Sequence, residues 1–224
     1  MIGFKVLRRE RAVSLELAAR FLDIPVANVS DCMSRMFAAG AALQPMHRGE
    51  AMAGPALTVR TRPGDNLMVH KAIALATPGD VIVVDAGGDL TNSLVGELMV
   101  TTAAVRGLAG IVINGAVRDA AALREGAFPV YAAGVTHRGP YKDGPGEINI
   151  PVAINGMVIH PGDLMLGDSD GLLCVPLGQV EAVLAASLQR MAAEQKILGA
   201  IKAGAYDAAW VDETLERLGC LVAS

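Results

Sequence analysis

Aromatic side chains are scarce in this chain: one Trp, three Tyr and four Phe make up 4% of 224 residues, while 52% are hydrophobic. A core must therefore be built from Ala, Val, Leu, Ile and Met. Such side chains let helices lie close on a sheet, which points to an α/β layered fold rather than an aromatic-rich all-β one. Cysteine is also sparse. Cys32, Cys174 and Cys220 are odd in number and lack the close spacing of a zinc or redox motif. That excludes a disulfide framework and suits a reducing, cytoplasmic compartment. Cys174, inside Leu172-Leu173-Cys174-Val175, reads as a small buried hydrophobe. Basic residues form no long run and the net charge is −4, so no nucleic-acid partner is expected. The most basic patch, Leu7-Arg8-Arg9-Glu10-Arg11, reads as a solvated N-terminal face.

Long apolar stretches are missing as well. Glu16, Arg20 and Asp23 interrupt the segment after the first basic residues, so there is no apolar core of a signal peptide. Residues 98–117 are long enough to cross a membrane, but Arg106, two glycines before Asn114 and a change of period make them a helix followed by a buried strand. No membrane partner is expected.

Several common active sites are absent. There is no phosphate-binding loop ending in Lys-Ser or Lys-Thr, and no Gly-x-Gly-x-x-Gly after a strand. Gly167-Asp168-Ser169-Asp170-Gly171 has the spacing of a nucleophile elbow, but a strand-like run follows where a helix is needed, and no histidine lies beyond His160. Lys71, beside His70, is the only lysine worth weighing for a Schiff base, and it reads better as a snorkelling or surface lysine. His70 and His137 could lie near a site but read better as ordinary helix or loop residues, and His47 and His160 read as surface or turn residues.

What is present is an alternation of helical and strand-like segments. Helices are expected over 13–22, with Ser14 as cap, and over 26–38, 67–76 with Asn66 as cap, 94–106, 120–125, 179–200 and 207–218. Strands are expected over 56–61, 81–85, 110–114 and 129–132, with several short ones between Ile148 and Pro176. Residues 136–147 read as a long loop. Pro78-Gly79-Asp80 and Pro161-Gly162-Asp163 each open a strand, a reuse of turn chemistry. Asp168 and Asp170 read as turn formers. No low-complexity linker divides the chain, so residues 1–224 are taken as one domain with a helical C-terminal extension from about 178.

One constellation carries chemistry. Gly96-Glu97-Leu98-Met99 lies near a helix start, where free backbone N–H groups and the helix dipole can hold a carboxylate. After one helix and one strand come Arg118 and Asp119. A helix returning to a parallel strand can bring Arg118 back to that helix start. Its guanidinium is a planar fork for a carboxylate or an enolate oxygen, and Asp119 is a hard oxygen ligand for magnesium or manganese. Structural roles also suit these residues: Glu97 can complement the helix dipole, Asp119 can cap the helix from Ala120, and Arg118 can pair with Asp119 or Asp85.

Glu97, twenty intervening residues, and Arg118-Asp119 together resemble the acidic-x20-Arg-Asp signature of the class II pyruvate aldolases, which cleave 4-hydroxy-4-methyl-2-oxoglutarate and 4-carboxy-4-hydroxy-2-oxoadipate. The resemblance extends to Pro63-Gly64-Asp65-Asn66, Asn149-Ile150-Pro151 and Asp168-x-Asp170-Gly171, motifs of a superfamily that also holds the regulator of ribonuclease E activity. It implies a layered α/β/β/α sandwich like a swivelling phosphohistidine domain, and a homo-oligomer, trimer or hexamer, with sites near subunit interfaces. It also implies roles. Backbone amides of Gly96, Glu97, Leu98 and Met99 would bind the carboxylate of a 2-oxo acid, and Arg118 would hold substrate and stabilise the enolate. Asp119 would bind Mg2+ or Mn2+, Glu97 would orient a metal-linked water, and Glu194 would be the acid supplied by a neighbouring subunit. Oxaloacetate decarboxylation would accompany such a site, because it too leaves pyruvate enolate. The alternative implied by the same superfamily is a non-catalytic regulator that binds ribonuclease E.

Overall fold

A computed structural model of the chain describes residues 2–221. The first half contains β1 (Phe4–Val6), α1 (Leu15–Ala19), α2 (Val26–Cys32), β2 (Gln44–Pro45), β3 (Met52–Thr61), α3 (Leu67–Leu75), β4 (Val81–Asp85), β5 (Ser93–Val95) and α4 (Glu97–Val105). The second contains β6 (Gly110–Val117), α5 (Ala120–Glu125), β7 (Val130–Val135), β8 (Gly146–Ile148), β9 (Val152–Ile154), β10 (Met157–Ile159), β11 (Leu164–Asp168), β12 (Gly171–Val175), α6 (Val180–Lys202) and α7 (Ala209–Arg217). Contacts divide the chain into a compact unit up to Ser187 and a second from Leu188 onward.

The expected α/β class holds. The main sheet runs β1-β8-β3-β4-β6-β7-β2, with β3, β4, β6 and β7 parallel. β4 and β6 are buried on both faces, as parallel strands covered on each side must be. Ile82, Val84, Ile111 and Ile113 point into a core closed by α3 and α4 through Val69, Ala72, Ile73 and Ala103. Val81, Val83 and Val112 point the other way, into a core shared with β9, β10, β11 and β12 through Ile154, Met157, Met165 and Cys174. Aliphatic side chains fill both cores, and the burial of Cys174 agrees with the apolar run around it. β3 has three partners along its length: Met52–Pro55 pairs antiparallel with β11, Ala56–Arg60 parallel with β4, and Val59–Thr61 antiparallel with β8.

Several local expectations are corrected. The helix expected over 26–38 stops at Cys32, because Ser34 and Arg35 adopt φ of 56° and 61°. Asn66 sits at the start of α3 but does not cap it; Asp65 Oδ1 accepts the Leu67 N–H at 2.9 Å, and the Asn66 amide donates to Leu94 O instead. His47 is buried, not superficial, and packs edge-on against Tyr131 with ring centroids 5.1 Å apart. Gly167–Gly171 spans the tip of the β11–β12 hairpin, with Ser169 and Asp170 as its turn, which leaves no nucleophile elbow. There Asp168 Oδ1 accepts the Asp170 N–H and Oδ2 accepts the Val26 N–H at the start of α2. No described helix is long and apolar enough to cross a membrane.

The Pro-Gly-Asp turns share one device. Gly79 and Gly162 turn with φ of 87° and 90°, a region that suits glycine. The following carboxylate then folds back three residues: Asp80 Oδ2 accepts the Thr77 N–H and Asp163 Oδ2 accepts the His160 N–H. Asp80 is nearly fully buried and also pairs with Arg9 at 2.8 Å, tying the N-terminal segment to the sheet. Asp80→Ala leaves a guanidinium and an amide without their acceptor in a buried place. It is expected to lower stability by about 3 kcal/mol, read as a fall in the urea midpoint at unchanged slope.

Candidate active site

β5 and β6 lie side by side and parallel, with Ser93 opposite Ala116 and Val95 opposite Val117. Both strands therefore end at the same level of the sheet. One leads through Gly96 into α4, and the other into Arg118 and Asp119. Arg118 donates its N–H to Val95 O at 3.0 Å, and Glu97 donates its N–H to Asp119 Oδ2 at 2.9 Å. The expected return of Arg118 and Asp119 to the α4 start is what the fold builds. Gly96 is required there: a Cβ would stand 2.4 Å from Asp119 Oδ2 and 2.9 Å from Arg118 Cγ.

Asp119 begins α5 in the left-handed region at φ 57°, ψ 39°, yet its side chain makes no cap bond to that helix. It serves α4 instead. Oδ1 accepts no hydrogen bond among the described residues, and the side chain is 41% exposed. Arg118 Nε lies 3.7 Å from Asp119 Oδ2. Asp85, the other partner weighed for Arg118, is bound to the Asn114 side chain and the Gly87 N–H. Of the α4 amides, that of Glu97 goes to Asp119 and that of Met99 to Gly96 O, which leaves the Leu98 amide uncommitted among the described residues. The Glu97 side chain is exposed beside this junction. Glu194 lies in the C-terminal unit, ion-paired to Arg190 at 3.1 Å.

A cavity of about 300 Å³ opens beside the junction. Gly96, Leu98, Met99 and Arg118 line it, and so do three residues without an assigned role: Asn66, His70 and Lys142. No carboxylate lines it. Burial lowers the His70 pKa from its ordinary value, and the nearby Lys142 charge lowers it further. His70 had been singled out by residue type alone. Asn66 and Lys142 lie 76 residues apart in sequence and meet here only through the tertiary fold, so no local pattern announces them. His137 is exposed and does not line the cavity.

The pattern of the RraA-like family, described as Aldolase/RraA, matches residues 26–174. A Halalkalibacterium halodurans protein provisionally named 4-hydroxy-4-methyl-2-oxoglutarate aldolase is 38% identical over 181 residues, 81% of this chain and 86% of that one. The 4-hydroxy-4-methyl-2-oxoglutarate aldolase of Thermus thermophilus is 38% identical over 112 residues, 50% of this chain and 68% of that one. A solved structure described as the RNA-processing inhibitor RraA, also from Thermus thermophilus, superposes with a TM-score of 0.64 at 32% identity, over 69% of this chain and 93% of that one.

Two outcomes test this geometry. In an NMR titration, the His70 midpoint is expected below the ordinary 6.5, and Lys142→Met is expected to raise it without restoring it fully, since burial is the larger cause. In Gly96→Ala the new methyl displaces Asp119, and the Glu97 amide is expected to exchange with solvent about 10-fold faster or more.

Proposed function

The chain belongs to the RraA-like (Aldolase/RraA) family, and we propose that it is a divalent-metal-dependent aldolase that cleaves a 4-hydroxy-2-oxo acid, of the 4-hydroxy-4-methyl-2-oxoglutarate or 4-carboxy-4-hydroxy-2-oxoadipate type, to pyruvate and a second oxo acid. The observation that carries this reading is the electrostatics of the cavity: Arg118, Lys142 and the start of α4 line it, and no carboxylate does. The named aldolase relatives point the same way.

The donor set fits a hard, hydrated cation. Asp119 keeps one carboxylate oxygen free, and no group of three or more His, Cys, Asp or Glu side chains suited to a metal occurs among the described residues. Mg2+ or Mn2+, which keep several waters and take one or two carboxylates, suit such a place better than Zn2+, which draws three or four protein ligands. Asp119 would hold the ion, with Glu97 beside it. When bound, the ion supplies Lewis-acid polarisation of the 2-oxo group.

The residues of the chain do the rest. The Leu98 amide and the positive end of α4 receive the substrate carboxylate. Removal of the proton from the 4-hydroxyl lets a carbonyl form at C4 as the C3–C4 bond breaks. The electron pair of that bond passes to the pyruvate fragment as its enolate. The Arg118 guanidinium faces the oxygen on which that charge develops, and stabilises it more in the transition state than in the ground state. Protonation at C3 completes pyruvate, with Glu97 positioned to relay the proton. Glu194 from a neighbouring copy of a trimer or hexamer is the acid that completes the site. Oxaloacetate loses CO2 to give the same enolate, so decarboxylation is a side activity of the same machinery.

A second reading, a protein-binding regulator of ribonuclease E, is favoured by the RNA-processing inhibitor structure and by the RraA half of the family description. Unchanged RNA cleavage by ribonuclease E in the presence of excess protein removes it.

Purified protein with Mg2+ is expected to release pyruvate from 4-hydroxy-4-methyl-2-oxoglutarate and from oxaloacetate, detected by coupled reduction to lactate, and to stop when the ion is chelated. Arg118→Ala is expected to lower kcat by about 100- to 1,000-fold. Asp119→Ala is expected to abolish the metal dependence together with the activity. Release of pyruvate from neither compound sinks the proposal, and an Asp119→Ala protein with full metal-dependent activity removes Asp119 from its role.

A further inference from the structure

Lys142 sits in a loop that has little regular structure yet is held at both ends. At one end Ser93 takes Arg138 O with its N–H at 2.8 Å and its hydroxyl at 2.9 Å, and the Asn92 amide donates to Gly139 O. At the other end stands Asp65, a carboxylate with no exposed surface. Asp65 Oδ2 accepts the N–H groups of Asp143 at 2.7 Å and Gly144 at 2.9 Å, and pairs with Arg62 at 3.0 Å. Tyr141 closes the seam, donating to Gly64 O at 2.8 Å and accepting from the Asn66 N–H at 3.0 Å.

Burying a carboxylate costs several kcal/mol unless donors replace its water, and here most of those donors belong to the loop or to the α3 start. The residue between the two clamps is Lys142. Its own side chain is exposed and makes no hydrogen bond or ion pair among the described residues, although it lines the same cavity as Arg118. Gly139 brings the loop backbone against Arg118, since a Cβ there would stand 3.5 Å from Arg118 Nη1. Two cations thus border one small cavity with no carboxylate among its lining. Like charges held near each other repel, so the arrangement favours a ligand carrying two negative groups.

We propose that Lys142 is a specificity-determining residue that binds the second carboxylate of a dicarboxylic oxo acid, and that Asp65 is the positioning residue that holds the Lys142 loop over the cavity. The proposal takes its substrate class from the aldolase reading but not its observations, so the two are tested apart. One carboxylate is received at the Arg118 end, by the start of α4. The other lies toward Lys142. His70, whose pKa is lowered by burial and by Lys142, lines the same cavity.

The test is calorimetric binding, with Mg2+ present, of 2-oxoglutarate, which has two carboxylates, against 2-oxobutanoate, which has one. The wild type is expected to prefer 2-oxoglutarate. Lys142→Met is expected to reduce that preference by about 10- to 100-fold, the range for a hydrogen bond to a charged group. Asp65→Asn keeps the shape but weakens the clamp; it is expected to reduce the preference in the same direction, and to add nothing further on top of Lys142→Met. Asn92→Ala loosens the other clamp and is read in the same way if Asp65→Asn does not fold. A wild type that binds neither acid or shows no preference, a Lys142→Met preference equal to wild type, or loop variants that weaken both acids equally, each overturn the proposal. A wild type with the expected preference that releases no pyruvate overturns the aldolase reading and leaves this one standing.

Discussion

The hydrogen bond from the Glu97 amide to Asp119 joins two stretches of chain that the sheet delivers to one place. It exists because β5 and β6 are parallel neighbours that end at the same level, so the first turn of α4 and the last residues after β6 cannot avoid each other. Gly96 is the condition for this meeting, since any side chain would occupy the position of the Asp119 carboxylate. Once the two ends are tied, the α4 amides, the Arg118 guanidinium and the free oxygen of Asp119 share one rim, and the cavity beside them inherits its polarity. A helix start alone is a weak anion site. A helix start with a guanidinium beside it and a carboxylate turned partly to solvent is a place where an oxo acid and a hard cation can meet.

The parts of this arrangement that were legible in the sequence are those carried by local pattern. β4 and α5 fall at their expected residues because an apolar run between turns and a short Ala-rich helix depend on neighbours in sequence. β5 was absorbed into the helix expected over 94–106: three residues are too few to display alternation, and Ser93 to Val95 become a strand only because β6 offers them a partner. The choice of cap at α3 went to Asp65 rather than Asn66 for a similar reason, because Leu94 O competes for the Asn66 amide from a distant part of the chain. The Arg118-Asp119 pair was legible as chemistry, but its alternative as a cap of α5 was equally consistent with the sequence. The register of β5 on β6 brings the Asp119 carboxylate to the start of α4 rather than to α5. Lys142 carried no signal at all, since its importance comes from what clamps the loop around it.

The acids of the chain are distributed with a consequence for the cavity. Asp65, Asp80 and Asp163 each follow Pro-Gly and are buried, and each accepts at least one backbone N–H of a nearby turn or loop. Buried carboxylates are tolerated when such donors replace water, and in return they fix the loops they bind. The net charge is negative, yet much of that charge is spent inside turns. The cavity lining holds Arg118 and Lys142 and no acid, with Asp119 just outside it, 3.7 Å from Arg118 Nε. Net charge alone would have suggested poor affinity for an anion; the placement of the charges reverses that inference.

Asp119 also bears on the choice between a catalyst and a binding surface. Its backbone lies in the left-handed region, where glycine is at ease and an aspartate is less favoured. Were only the turn into α5 required, glycine would serve at least as well. What aspartate adds is a carboxylate, and that carboxylate leaves α5 uncapped. One oxygen ties the start of α4 and the other is left toward solvent at the rim of a cationic cavity. An oxygen left unspent at a rim is what the proposed role of Asp119 as a cation ligand requires.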